Sequence, residues 1–170
     1  LPYKTIGQVL RIFVDVVSKN GTLLLSIPIR GEGTIDEREV AFLEKLGAWT
    51  KVNGEGIYGS RPWLVFGEGP TKIPRGRAGD AVIAFTPEDL RFTTKDGKLY
   101  IFLLTEPTGT TVVKSLGLEA PTGRRVKTIE LVGSDEPLHW QQDAASVQIE
   151  RPAKLPSADV ISYRVTFEQR

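Results

Sequence analysis

The stretch DVVSKNGTLLLSIPIRGEGTIDEREV, residues 15–40, decides how the chain is read. Its middle, Thr22 to Ile29, has the composition of a strand, yet apolar residues fall on both of its faces. Successive side chains of a strand point to opposite sides, so a strand of an ordinary surface sheet keeps one polar face. A strand apolar on both sides belongs inside a sheet that is covered on both sides.

The flanks of this strand are helical. From Thr5 to Lys19, apolar residues fall at Ile6, Val9, Leu10, Phe13, Val14 and Val17, the spacing of a helix with one buried stripe. Asn20-Gly21 stops that helix in the manner of a left-handed cap. After the short loop RGEGTI, Asp36 and Glu39 have the spacing of a capping box. A second helix is expected to about Asn53, with Val40, Leu43, Leu46, Trp49 and Val52 inward and Gly54 as its end. Helix, apolar strand, helix is one repeat and a half of an α/β pattern. Uncovered, the strand and the two helix stripes would forgo on the order of ten kcal/mol of apolar burial, at about 25 cal/mol per Å². The covering strands are therefore expected before residue 1, and the absence of methionine, and so of an initiator residue, agrees.

Beyond Gly59 the period changes. SRPWLVFGEGPTKIPRGRAGD is rich in Gly and Pro and reads as a connecting segment holding a short strand at Trp63 to Phe66. Short strands follow at Asp89–Thr94, Lys98–Leu104, Thr111–Ser115, Val126–Leu131, Val147–Glu150 and Val160–Phe167. Asp96-Gly97 between the first two suits a type I′ hairpin. Six strands at this spacing, with no helical period among them, argue for an antiparallel β-sandwich.

Twenty-two basic and 21 acidic residues give a net charge of +1, with the signs interspersed. Nothing in this pattern resembles a footprint for nucleic acid or a membrane surface, and neither is expected as a partner. No apolar run approaches the ~18 residues of a membrane span, and LPYKTIGQ lacks the form of a signal peptide. The absence of cysteine excludes disulfides and thiolate metal sites and leaves the compartment open.

Candidate chemistry is sparse. GEGIYG, Gly54 to Gly59, matches G-x-G-x-x-G, but a dinucleotide site needs a strand before the glycines and a helix after. Here a helix precedes and Arg61-Pro62 follows, so nucleotide binding is rejected. His139 is the only histidine, which removes any histidine cluster, and no nucleophile elbow lies near it. Paired carboxylates would suffice for a glycosidase. Asp36, however, is better used as a helix cap, Glu32 lies in a Gly-flanked turn, and Asp135-Glu136 precedes a proline in a loop. Three tryptophans and four tyrosines are enough for a sugar-stacking platform, although aromatics in strands are more often core.

These residues resemble one family. DVVSKNGTLLLSIPIRGEGTIDEREVAFLEKLGAWTKVNGEGIYGSRPW looks like the end of the catalytic barrel of α-L-fucosidases, glycoside hydrolase family 29. FTPEDLRFTTKDGKLYIFLL and LVGSDEPLHWQQD look like the β-sandwich that follows it. The resemblance implies a mixed fold: the last helix-strand-helix portion of a (β/α)8-type barrel over residues 1–59, a linker over 60–79, and an antiparallel β-sandwich over 80–170. Thr22 to Ile29 becomes the last barrel strand, and the missing partner is the N-terminal barrel portion of the same protein.

The family removes terminal α-L-fucose from glycans with retention, using an aspartate nucleophile and a glutamate or other acid/base, without metal, nucleotide or other cofactor. Both carboxylates lie upstream in the family, so no catalytic residue is assigned here and the 170-residue segment alone is expected to be inactive. A secreted or periplasmic location is implied by resemblance only. Ser26 departs from the LLLNI common in relatives, which puts in doubt any contact such an amide would make. Because barrel active sites lie at the C-terminal ends of strands, Arg30 and Glu32 are the candidate substrate-binding residues. The alternative is a free-standing carbohydrate-binding β-sandwich with an N-terminal helical extension.

Overall fold

The computed structural model describes residues 3–73 and 83–169. Helix α1, Ile6–Ser18, starts at a full capping box: the Thr5 hydroxyl accepts from the Gln8 backbone N–H at 3.2 Å, and the Gln8 side chain accepts from the Thr5 N–H at 2.8 Å. It ends as expected, with Asn20 rather than Gly21 in the left-handed conformation, φ 65°. Asn20 N–H bonds Val17 O and Gly21 N–H bonds Val16 O, which satisfies the last carbonyls.

Helix α2, Glu37–Asn53, is capped by Asp36, whose carboxylate accepts from the Arg38 N–H at 2.8 Å. Glu39, expected to reach back toward this cap, is instead turned inward and buried. The inward stripe is Glu39, Leu43, Leu46, Trp49 and Asn53, so Val40 and Val52, expected on it, are exposed by 42% and 38%. A stripe of isolated apolar positions does not fix the helix's rotation. The anchors at its C-terminal end, Trp49 and Asn53, do.

Thr22 to Ile29 is extended but is not a strand among the described residues, contrary to expectation. Its one bridge joins Ile29 to Ile35. A ladder needs a neighbour, and none is described beside it. The alternation is nonetheless that of a strand: Leu23, Leu25 and Ile27 are half-buried, whereas Thr22, Leu24, Ser26 and Pro28 are exposed, Leu24 by 95%.

Eight strands follow among the described residues: β1 Arg61–Glu68, β2 Leu90–Lys95, β3 Lys98–Leu103, β4 Thr111–Val113, β5 Val126–Leu131, β6 Trp140–Gln142, β7 Val147–Ile149 and β8 Ile161–Phe167. They form a five-stranded sheet, β1-β2-β3-β8-β5, and a three-stranded sheet, β4-β7-β6, with every pair antiparallel. The expected hairpin is present, with Asp96 at φ 51° and Gly97 at φ 75°. β6 was not expected. The short strand expected at Trp63 to Phe66 is the middle of β1, where four residues bulge opposite Phe92 between the pairs Pro62–Thr93 and Gly67–Arg91. Residues 61–68 thus belong to the sheet, while much of the remaining connecting segment falls at 74–82, outside the described residues.

The layers are set by β3, which is buried on both faces. Leu99, Ile101 and Leu103 join the core between the two sheets, with Phe92, Leu116, Ile149 and Tyr163. Tyr100 and Phe102, together with Leu104 just after the strand, meet Leu10 and Val14 of α1, Trp49 of α2, and Ile57. The helices therefore form a third layer on the outer face of the larger sheet.

Polar groups stitch this seam. Trp49 Nε1 donates to Val160 O at 2.6 Å, Arg11 Nε to Leu104 O at 2.7 Å, and Ser162 Oγ to Asn53 Oδ1 at 2.8 Å. Arg91, 3% exposed, donates to Asp15 Oδ1 at 2.5 Å, and Lys19 approaches the other oxygen of Asp15 at 2.7 Å. Gly56 accepts from Thr93 Oγ1 at 2.6 Å, and a Cβ on it would sit 2.8 Å from the Tyr100 ring. A glycine of the G-x-G-x-x-G pattern is thus required by close packing on β3 rather than by a pyrophosphate.

Removing one partner of a buried ion pair strands the other charge, so Asp15→Ala is expected to cost about 3–5 kcal/mol, whereas Asp15→Leu combined with Arg91→Met recovers most of the loss. Urea denaturation of the two single variants and the double variant checks this. A double variant no more stable than the singles contradicts it.

Candidate functional site

The end of the extended segment is a built turn. Arg30 N–H bonds Thr34 O at 2.8 Å and Gly33 N–H bonds Arg30 O at 2.9 Å, closing a three-residue loop. Gly33 has φ 86°, the left-handed position such a loop needs. The turn leads the chain directly into the cap of α2.

The two candidate binding residues sit on this turn and are exposed. The Arg30 guanidinium lies 3.2 Å from Asp36 Oδ2 and 4.0 Å from Glu37 Oε1. The Glu32 carboxylate accepts from Thr34 Oγ1 at 2.9 Å. Arg30 therefore fastens the turn to the helix, and Glu32 is steadied at the tip. The Asp36 carboxyl is held below its ordinary range, first by the Arg38 backbone N–H and further by Arg30, against a smaller opposing effect of desolvation.

Beside the turn, the half-buried face of the extended segment forms the wall of a groove of about 680 Å³. Leu25, Ile27, Ile6, Val9 and Phe42 make it apolar, and Lys4, Arg38 and Lys45 also line it. Sequence periodicity marked most of these apolar positions as helix and strand interior, not as a groove.

The other sequence candidates are separate from this site. His139 is exposed, and its carbonyl accepts from Glu150 N–H at 2.9 Å. Glu136 accepts from the Ala153 and Lys154 backbones, which hold its carboxyl below the ordinary range and make it a loop staple. Asp135 lines a small polar hollow in which Arg164 binds both Glu55 and Glu130 at 3.0 Å. Trp49 is core, Trp63 stacks edge-on against Phe92 at 5.3 Å, and Trp140 packs on the sandwich core. All three indoles are thus used in packing. Among the described residues, no group of three His, Asp or Glu side chains is placed to hold a metal ion.

Comparison with known proteins places this geometry. Residues 1–55 match the family described as Alpha-L-fucosidase, and residues 84–167 match the Alpha-L-fucosidase C-terminal domain. The chain belongs to the α-L-fucosidase family. It corresponds to the end of the family's catalytic domain, carried by α1, the extended segment and α2, followed by the C-terminal β domain.

Plasma α-L-fucosidase of Rattus norvegicus is 31% identical over 154 residues, 88% of this chain and 29% of that protein. Tissue α-L-fucosidase of the same organism is 28% identical over 137 residues, 81% of this chain and 25% of that protein. The crystal structure of Thermotoga maritima α-fucosidase with a mechanism-based inhibitor superposes with a TM-score of 0.73 at 26% identity, over 96% of this chain and 34% of that one. Isoenzyme 1 from Paenibacillus thiaminolyticus gives 0.73 at 27% identity, over 98% and 35%. The chain thus spans about a quarter to a third of the length of these relatives.

The Asp36 cap, held first by the Arg38 backbone N–H and then by Arg30, has a testable pH signature. A carboxyl whose folded-state pKa is depressed stabilises the fold above its unfolded value, about 3.9, and loses that contribution as pH falls through the folded value. Asp36→Ala is therefore expected to lower the melting temperature at pH 7, with the gap to wild type closing below about pH 3.9. Thermal melts from pH 7 to pH 3 check it, and a gap independent of pH contradicts the charged cap.

Proposed function

We propose that the chain is the C-terminal part of a retaining exo-glycosidase that hydrolyses terminal α-L-fucose from glycans, and that it supplies scaffold and cleft rim rather than reacting groups. The observation that carries this is the split character of Thr22 to Ile29: Leu23, Leu25 and Ile27 are half-buried, two of them beside a groove shared with both helices, and the alternate positions present Leu24 to solvent, 95% exposed. A (β/α)8 strand is covered outside by helices and inside by the other strands, so each of its faces is apolar for a different reason. Under this proposal Thr22 to Ile29 is the last barrel strand and α2 the last barrel helix. The aspartate nucleophile and the acid/base come from a further part of the same protein, and the substrate is a fucosylated glycan. Arg30 and Glu32 stand where the loop after the last strand meets the cleft. The family match over residues 1–55 supports the assignment. A free-standing carbohydrate-binding sandwich is the weaker reading, since Trp49, Trp63 and Trp140 are engaged in packing and Tyr100 and Tyr163 are buried.

The purified 170-residue chain is expected to leave an aryl α-L-fucoside intact while the full-length protein turns it over, and turnover by the chain alone contradicts the assignment. A second measurement tests the strand. Leu24→Asp is expected to be nearly silent in the 170-residue chain yet to abolish the soluble yield of the full-length protein, because an unpaired carboxylate in the barrel interior costs several kcal/mol. Leu25→Asp, on the groove side, is expected to damage both. A full-length protein that tolerates Leu24→Asp is not built around this strand.

A further inference from the structure

The alternation of Thr22 to Ile29 sorts its side chains by destination. Leu23, Leu25 and Ile27 are half-buried, and Leu25 and Ile27 line the groove with Ile6, Val9 and Phe42. Thr22, Leu24, Ser26 and Pro28 alternate with them and are exposed, and Ser26 also contributes to the lining of the groove. Thr22 lies four residues before Ser26 along the segment, with Leu24 midway. Of the two hydroxyls at these exposed positions, only that of Ser26 is near the end where the chain turns at Arg30. The charged groups beyond it are engaged by neighbours, Arg30 by Asp36 and Glu37 and Glu32 by Thr34. Pro28, the remaining residue of that set, has no polar side-chain atom.

We propose that Ser26 is a specificity residue whose hydroxyl makes a neutral hydrogen bond to a hydroxyl of the bound fucosyl unit. This rests on the barrel assignment, in which the inward face at the C-terminal end of a strand opens into the active site. Serine supplies one donor and two acceptor positions in little volume, which suits a single contact to a sugar hydroxyl at a wall. Leu24, one layer below, fills the barrel interior, and Thr22 faces its opposite end. Arg30 and Glu32 then belong to the rim, farther out than Ser26.

The test uses the full-length protein and three variants, Ser26→Ala, Ser26→Gly and Thr22→Ala, with kinetics on an aryl α-L-fucoside, inhibition by L-fucose and thermal melts. Ser26→Ala is expected to lower kcat/KM about 3- to 10-fold, the scale of one neutral hydrogen bond, and to weaken L-fucose inhibition in step. Its melting temperature is expected to stay at that of wild type. Thr22→Ala is expected to leave both kinetic readouts unchanged. Among monodeoxy aryl fucosides, one is expected to react equally with wild type and Ser26→Ala, since the contacted hydroxyl is already absent. A purely structural serine gives no such substrate. Wild-type kcat/KM and inhibition in Ser26→Ala overturn the proposal while leaving the fucosidase assignment standing. Should Ser26→Ala fail to fold, the same comparison on Ser26→Gly decides. A full-length wild type that does not turn over the fucoside overturns the fucosidase assignment and this proposal with it.

Discussion

The double burial of β3 is the constraint on which the rest of the structure depends. Tyr100 and Phe102, 3% and 0% exposed, face the helices, and Leu99, Ile101 and Leu103 face the second sheet. A strand apolar on both sides has no stable place at a surface, so the helix layer cannot lift away without exposing two large aromatic rings. At about 25 cal/mol per Å², burying rings of this size contributes several kcal/mol, before the indole hydrogen bond of Trp49 is added. The same logic applies to Thr22 to Ile29. In β3 both covers are within the chain, whereas the extended segment has one cover and one open face.

Periodicity made the apolar skeleton legible. It located both helices, the Asp96-Gly97 hairpin and seven of the eight described strands close to where they lie, because each is written in local spacing of apolar and turn residues. It was silent about the helix–sheet seam, which is written in polar residues. Gly7, Arg11, Asp15 and Lys19 recur every four residues along α1 and look like a solvated stripe. They instead meet Asp159, Leu104, Arg91 and Phe66 respectively. A second buried face of this kind becomes visible only when the partner surface is known, because Asp15 is buried by Arg91, 76 residues away. β6 escaped for another reason: Trp140-Gln141-Gln142 is three residues long and two of them are amides, too short for alternation to register.

The turn that carries Arg30 and Glu32 was legible in position, and its contacts were not. Reading a turn after the apolar segment placed Arg30 and Glu32 together, and they do share one loop. That Arg30 is held by the cap of α2 did not follow from the sequence, because the capping-box pattern assigned the free side of Asp36 no partner and assigned Glu39 to the helix start. The structure buries Glu39 and gives the outer carboxylate oxygen of Asp36 to Arg30. Ser26 stood out in sequence only as a departure from a family pattern. Its direction is a matter of which neighbours are half-buried, and no single residue type carries that information.

The two ends of α2 are held by different parts of the molecule, and this gives the sandwich a role that does not require it to touch substrate. At one end Asp36 binds Arg38 N–H and Arg30; at the other, Trp49 binds Val160 O, and Asn53 accepts from Ser162 Oγ. A helix of 17 residues spans about 25 Å at 1.5 Å per residue. Trp49 and Asn53 fix its rotation as well as its depth, since two anchors four residues apart on one face leave little freedom to turn. Rotation at the anchored end carries Asp36 around the helix axis, and Arg30 with it. Binding groups work only within narrow tolerances of position, so a rim set by this helix inherits its accuracy from β3 and β8. Under the fucosidase assignment, the C-terminal β domain therefore acts on the cleft as the mount of its last helix.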